Sequence, residues 1–223
     1  MTLQLDHLFV CTSAGAPEAQ ALLDAGLVEG SPNTHPGQGT ANRRFFFNSG
    51  FLELLWVRDE GEARSALTAP TRLWERWAER GKSSNPFGIC FSSPRGAESI
   101  LPFASWEYRP RYLPEEHTIL FADTSPLSEP ELFALSWPQV QASPTTQPRT
   151  HPLGLREMRS VSVGLSDPAS ISGPLSAARD AGLVKVHRSA APELMIEFTS
   201  QQEVQLSVPA LALTMVGRPD GAA

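Results

Sequence analysis

Near the start of the chain, LQLDHLFVCTS alternates so that Leu3, Leu5, His7, Phe9 and Cys11 fall on one face of a strand, with Leu8 and Val10 on the other. Apolar residues on both faces predict a sheet covered on both sides. Pro17 opens a helix over PEAQALLDAGL, at a position where its missing N–H costs nothing. Ala19, Leu22, Leu23 and Leu27 form the inward stripe, and Gly26 suits the C-terminal end. SPNTHPGQGT reads as a loop, and then RRFFF and FLELLWV flank Asn48-Ser49-Gly50, a hairpin signal. Residues 3–58 thus predict one β-α-β-β-β unit.

Weaker copies follow. APTRLWERWAERGK predicts an amphipathic helix with Leu73, Trp74 and Trp77 inward and a glycine stop. PFGICFSS, WEYRPRYLP, HTILFADT and PELFALSW predict a second run of strands, its helix shrunk to a loop around PRGAESI. QASPTTQPRTHP has the composition of a linker. A third stretch repeats strand, helix and strands, and Asp24-Ala25-Gly26-Leu27-Val28 recurs as Asp180-Ala181-Gly182-Leu183-Val184 at the same helix-to-strand turn. The fold class expected is α+β. Paired units span residues 1–140, a linker 141–154, a third βαββ-like unit 155–216, and a disordered tail 217–223. Adjacency favours units one and two as partners, whereas the shared pentapeptide favours one and three.

With 223 residues, the chain can bury a sizeable core, and 41% hydrophobic with 19% charged residues is ordinary for a soluble globular protein. A formal charge of −6 argues against a nucleic-acid surface. No apolar run approaches the roughly 18 residues of a membrane span, and MTLQLDHLFV lacks a basic region and cleavage signal, so a cytoplasmic location is expected. Cys11 and Cys90 sit inside apolar strands and read as buried reduced thiols. Lysine occurs only at Lys82 and Lys185, so most cations are Arg, whose planar fork suits a carboxylate or phosphate. Gly37 and Gly39 do not lie between a strand and a helix, which excludes a phosphate-binding fingerprint. No Ser stands near a His and Asp pattern, so nucleophilic hydrolysis has no support.

Repeated β-α-β-β-β units, opened by LDHLFV and closed by FLELLWV, resemble the vicinal oxygen chelate superfamily of glyoxalases, extradiol dioxygenases and bleomycin-resistance proteins. HPGQGTANRRFFF, PFGIC, WEYRPRYLP and HPLGLRE are similar to a bacterial glyoxalase-like domain family. The resemblance implies two units curled into a mixed-sheet cup and a divalent metal (Zn, Ni, Mn or Fe) held by a first-strand His or Glu and a fourth-strand Glu of each unit. Carried over by position, the metal ligands are His7 and Glu53, with Glu53 also the catalytic base. The second unit offers Pro86 at its first-strand position and Glu131 out of register, and the third offers Ser160.

A carboxylate at Glu53 among Phe51, Leu55 and Val57 needs a partner. A metal shared with His7, an Arg across the hairpin, or a substrate contact would serve. A three-residue turn puts Phe45 opposite Glu53 with Arg43 diagonal; a two-residue turn gives Phe46 and Arg44. Asn42 and Arg43 are further candidates for substrate binding, where the loop enters the cup. Trp106 and Tyr108 would form an aromatic wall, with Arg109 or Arg111 at its rim for an anionic ligand. His35 reads as a turn residue or a cover over the cup mouth, and His117 as a third ligand of a rearranged cup. Two functions stay open: a metal-dependent lyase, isomerase or dioxygenase of a small oxygenated molecule, and a metal-free, drug-sequestering ligand trap. Pairing of cups between chains makes a homodimer the expected assembly.

Overall fold

The structure, a computed structural model, describes residues 3–94, 100–137 and 147–219. The first unit runs β1 (Gln4–Cys11), α1 (Ala19–Asp24), β2 (Asn33–His35), β3 (Thr40–Phe46) and β4 (Phe51–Val57). Two short helices follow, α2 (Glu60–Ala63) and α3 (Leu73–Ala78), and then β5 (Phe87–Ser92), β6 (Ser105–Tyr108), β7 (Ile119–Ala122) and β8 (Glu131–Leu135). These strands make one eight-stranded sheet in the order β2-β3-β4-β1-β5-β8-β7-β6. Units one and two therefore meet at β1 and β5, which run antiparallel, while each pairs in parallel with the last strand of its own unit.

Residues 155–219 form β9 (Leu155–Leu165), α4 (Gly173–Asp180), β10 (Lys185–Arg188), β11 (Glu193–Ser200), β12 (Val204–Val208) and β13 (Leu213–Pro219). Their five-stranded sheet has the order β10-β9-β11-β13-β12. Successive neighbours are parallel, antiparallel, parallel and antiparallel, the same sequence found along β4-β1-β5-β8-β7. The third stretch thus repeats the centre of the whole first sheet, with the outer strands trimmed. The repeated pentapeptide follows the helix after each sheet's leading strand. Gly26 (φ 92°) and Gly182 (φ 74°) end the two helices alike, each followed by a leucine whose N–H reaches back to a carbonyl of the last turn, Leu22 or Ala178.

One apolar cluster joins the two sheets: Leu8 and Val10 of β1 and Leu22 of α1 share it with Val161, Ile196 and Met215 of the second sheet. His151 fastens the seam, its Nδ1 accepting from the Val28 N–H (3.0 Å) and its Nε2–H donating to the Phe46 carbonyl (2.8 Å). A second cluster, with Phe9, Cys11, Cys90, Phe121 and Phe133, lines the other face of the large sheet.

Three expectations change. A bulge in β1 between Leu5 and His7 moves Leu3 and Leu5 to the inter-sheet core, away from the face of His7 and Phe9. In α3 the fully buried side chain is Arg76 beside Leu73, whereas Trp74 and Trp77 are only part-covered. β13 takes Gly217, Arg218 and Pro219 into the sheet. Residues 220–223 of the expected tail, 141–146 of the linker and 95–99 of the PRGAESI loop lie outside the described residues.

Candidate functional site

The bulge builds the site. Alternation alone would send Asp6 and His7 to opposite faces, but the extra residue opposite β5 turns both toward one cavity of about 220 Å³. Gly50 permits this, because a Cβ there would collide with the Asp6 carbonyl. Asp6 Oδ1 and His7 Nδ1 stand 2.7 Å apart, leaving His7 Nε2 for the cavity and the buried Asp6 Oδ2 without a hydrogen-bond partner. The His7 ring stacks on Phe51 (4.5 Å, 7°) and meets the edge of Phe133 at 5.5 Å. Burial pulls its pKa down, but the hydrogen bond and charge of Asp6, joined by Glu53, outweigh burial and raise it above 6.5.

Glu53 opens into the same cavity from β4 and is 7% exposed. Its bonded partner is the Asn42 amide, two residues along the strand from Arg44. Asn42 is oriented by its own Oδ1, which accepts the Asn33 N–H at 2.9 Å and so turns the NH₂ toward Glu53. The hairpin register sets Arg44 directly opposite Glu53, with Phe46 against Phe51, so the strands pair one residue away from the first expected alignment and two from the second. Arg44 lies over the rings of Phe46 (5.0 Å) and Phe51 (5.8 Å) and donates to the Ser31 carbonyl.

Across the mouth, His35 is fixed between Thr40 (2.8 Å) and Asn33 (3.3 Å), with Tyr112 beside its ring at 4.7 Å. Burial, aided by Arg44 and His7 and opposed by Glu53, lowers its pKa. Tyr112 donates to Gln38 Oε1 (3.3 Å), and burial holds its hydroxyl protonated. The remaining walls are apolar, including Phe9, Leu55, Leu73, Phe121 and Phe133.

His7 and Glu53 therefore share one hollow, with Asn42 bonded behind Glu53. The other expected residues lie elsewhere. Arg43 points to the opposite face and grips Glu29 (2.7 and 2.5 Å). Trp106 stacks on Phe121 and lines a separate cavity beside Arg72 and Ser125. Tyr108 is buried with its hydroxyl 3.5 Å from Thr68 Oγ1, and Arg109 pairs with Glu107 on the surface. β6 ends at Tyr108 and Pro110 interrupts the alternation, so Tyr112 reaches the cavity while Trp106 and Tyr108 do not. His117 stacks on Trp137 (4.3 Å), and Glu131 is held by the buried Arg76 (3.2 Å). The Pro86 carbonyl accepts the Cys11 N–H; the second-unit residues that face His7 are Cys90, its register partner, and Phe133. Sequence reasoning missed Asp6, Gln38 and Phe133, which carried no signal, and weighed Arg44 only as a partner of Glu53 in a different hairpin register.

Among the described residues, one donor cluster suits a cation. Asp6, His7 and Cys90 hold potential ligand atoms within 4.8 Å of one another, a group that does not include Glu53. The orphaned Oδ2 of Asp6 fits such an ion.

The model of a glyoxalase-like domain matches residues 5–178. The chain belongs to that family. Its fold matches a hypothetical protein from Staphylococcus aureus at TM-score 0.51 and 11% identity, over 98% of this chain and 100% of that one. Methylmalonyl-CoA epimerase in complex with methylmalonyl-CoA and NH₄⁺ aligns at TM-score 0.39 and 11% identity, over 64% of this chain and 100% of that one. A variant of 4-hydroxymandelate synthase from Streptomyces coelicolor aligns at TM-score 0.35 and 14% identity, over 97% of this chain and 62% of that one. No curated protein matches the sequence. The glyoxalase-like family member is a mixed α+β chain of two open sheets, and none of its described helices is long and apolar enough to cross a membrane.

Proposed function

We propose that the cup binds a small, flat, oxygenated molecule and that His7 and Glu53 move a proton on it. The observation that carries this is a polar wall, where Asp6–His7, Glu53 and Arg44 converge, facing aromatic and aliphatic side chains across the hollow. The aromatic rings favour a planar ligand. Arg44 is placed to polarise a carbonyl or hold a carboxylate at the hairpin side. His7, with Nδ1 oriented by Asp6 and its pKa raised, delivers a proton from Nε2 to a ligand oxygen. Glu53, oriented by Asn42, takes a proton from the carbon next to that oxygenated centre. The reaction class is an isomerisation or elimination through an enol.

The test is deuterium uptake from heavy water into a panel of small hydroxy-, keto- and dicarbonyl acids, followed by NMR. Uptake is expected with the native protein and is lost in Glu53→Gln, while ligand-induced thermal stabilisation persists. Stabilisation with no uptake for any ligand would refute the proton chemistry and leave a drug-sequestering trap.

The Asp6–His7–Cys90 cluster favours a second, metal-dependent reading. Those three residues would hold a divalent ion (Zn, Ni, Mn or Fe) at the cavity edge, where it would supply Lewis-acid polarisation of a bound oxygen. A rise in melting temperature with added metal, abolished in both Asp6→Asn and Cys90→Ser, is the expected result. Equal shifts in native and variant proteins would rule that cluster out.

A further inference from the structure

The open face of the second sheet gathers side chains far apart in sequence. Along β9, β11 and β10, Glu193 and His187 are both register partners of Gly164, and Ser162 lies one alternation back on the same face. Ser162 Oγ is 2.9 Å from His187 Nδ1, and His187 Nε2 is 2.7 Å from Glu193 Oε1. A carboxylate only accepts, so Nε2 carries the proton and Nδ1 keeps the lone pair that receives the Ser162 hydroxyl. That is the order nucleophile, base, orienting acid. Gly164 makes it possible, since a Cβ there would stand 2.9 Å from Glu193 Oε1 and nearer still to its stem. Lys185, the register partner of Ser162, is paired with Glu197 on the same face, its Nζ 3.0 Å from the carboxylate.

We infer that Ser162, His187 and Glu193 form a nucleophilic serine site, separate from the cup, that accepts the acyl group of small activated esters. Ser162 Oγ bonds to the acyl carbon as its proton passes to His187 Nδ1. The ester C–O bond breaks and the leaving group departs as an alkoxide or phenolate that recovers the proton from the imidazolium. Water, deprotonated by the same nitrogen, then releases the acid and restores the serine. The half-exposed Glu193 and His187 leave the face open, so it favours small esters with good leaving groups over bulky specific ones.

The experiment treats the full chain with p-nitrophenyl acetate and, separately, a fluorophosphonate, reading nitrophenolate release, intact mass and the modified peptide. One adduct per chain at Ser162 is expected. It disappears in Ser162→Ala, whose melting temperature matches the native protein, and its formation slows about 100-fold in His187→Gln. Glu193→Gln and Gly164→Ala slow it by similar factors as each other, because both take the acid from the imidazole. No adduct at Ser162, or equal rates in native and His187→Gln proteins of equal melting temperature, would overturn the assignment and reduce the cluster to a polar ladder tying three strands.

Discussion

Two histidines of this chain respond to acid in opposite senses. Asp6 raises the His7 pKa above 6.5, so the folded protein binds that proton more tightly than the unfolded chain. Its stabilising contribution is complete below about 6.5 and is lost as pH rises through the raised value. His151 is the reverse: burial lowers its pKa despite the bond to the Phe46 carbonyl, so its contribution is present above about 6.5 and lost as pH falls through the lowered value. In metal-stripped protein, Asp6→Asn is expected to leave burial dominant at His7 and to drop the imidazole midpoint below 6.5, followed by NMR titration. A midpoint that stays above 6.5 would show that Asp6 is not the cause. His151→Leu leaves the Val28 N–H and Phe46 carbonyl unpaired, and a loss of about 1–3 kcal/mol in urea unfolding is expected.

At the scale of elements, α3 is held by charge as much as by packing. Arg76 is 0% exposed and donates to the carbonyls of Asn85 (2.6 Å) and Glu129 (2.7 Å) as well as to Glu131. It thereby ties α3 to both ends of the segment that carries β5 and β8. Burial raises the Glu131 pKa even with this guanidinium beside it, so the pair is costly to separate. Arg76→Ala is expected to lose about 3–5 kcal/mol, whereas Glu131→Gln, which keeps a bonded partner for Arg76, loses less. Equal losses in chemical denaturation would mean that the carbonyl contacts contribute nothing. The bulge in β1 shows how little of such detail alternation records. Leu3, Leu5, His7 and Phe9 spell an unbroken period of two, and no residue type marks Asp6 as the extra one. The glycine that accommodates the bulge, Gly50, lies on another element, and in sequence it reads only as a turn residue.

At the scale of the whole molecule, the two sheets share one apolar core, which leads to the expectation that they unfold together. Phe47 at the tip of the first hairpin packs on Phe198 (4.6 Å) and His151 (4.8 Å), and Asn48 N–H bonds the Arg156 carbonyl. A single calorimetric transition is expected for the full chain, and residues 1–154 alone are expected to aggregate, because Leu8, Val10 and Phe47 would lose their cover. Two resolved transitions, or a soluble cooperative fragment, would contradict a common core. The shared pentapeptide, read alone, favours pairing of units one and three. It instead marks equivalent helices of two sheets, since turn chemistry at Gly26 and Gly182 repeats wherever that helix end does.

The sequence alone determined most of the strands, the leading helix and its glycine cap, and the presence of His7 and Glu53 on the first and last strands of one unit, because periodicity and turn chemistry are local. Its motifs resembled the family, while β2, inside a stretch that reads as a loop, was not legible. The sequence could not decide the partner of Glu53, the burial of Arg76 or the displacement of Trp106, Tyr108 and Arg109 from the cup. Those depend on register and curl, which one extra residue or one proline resets. The pairing of Ser162 with His187 and Glu193 is the plainest case: these residues lie 25 and 6 positions apart, and only hydrogen bonding between three strands sets them side by side.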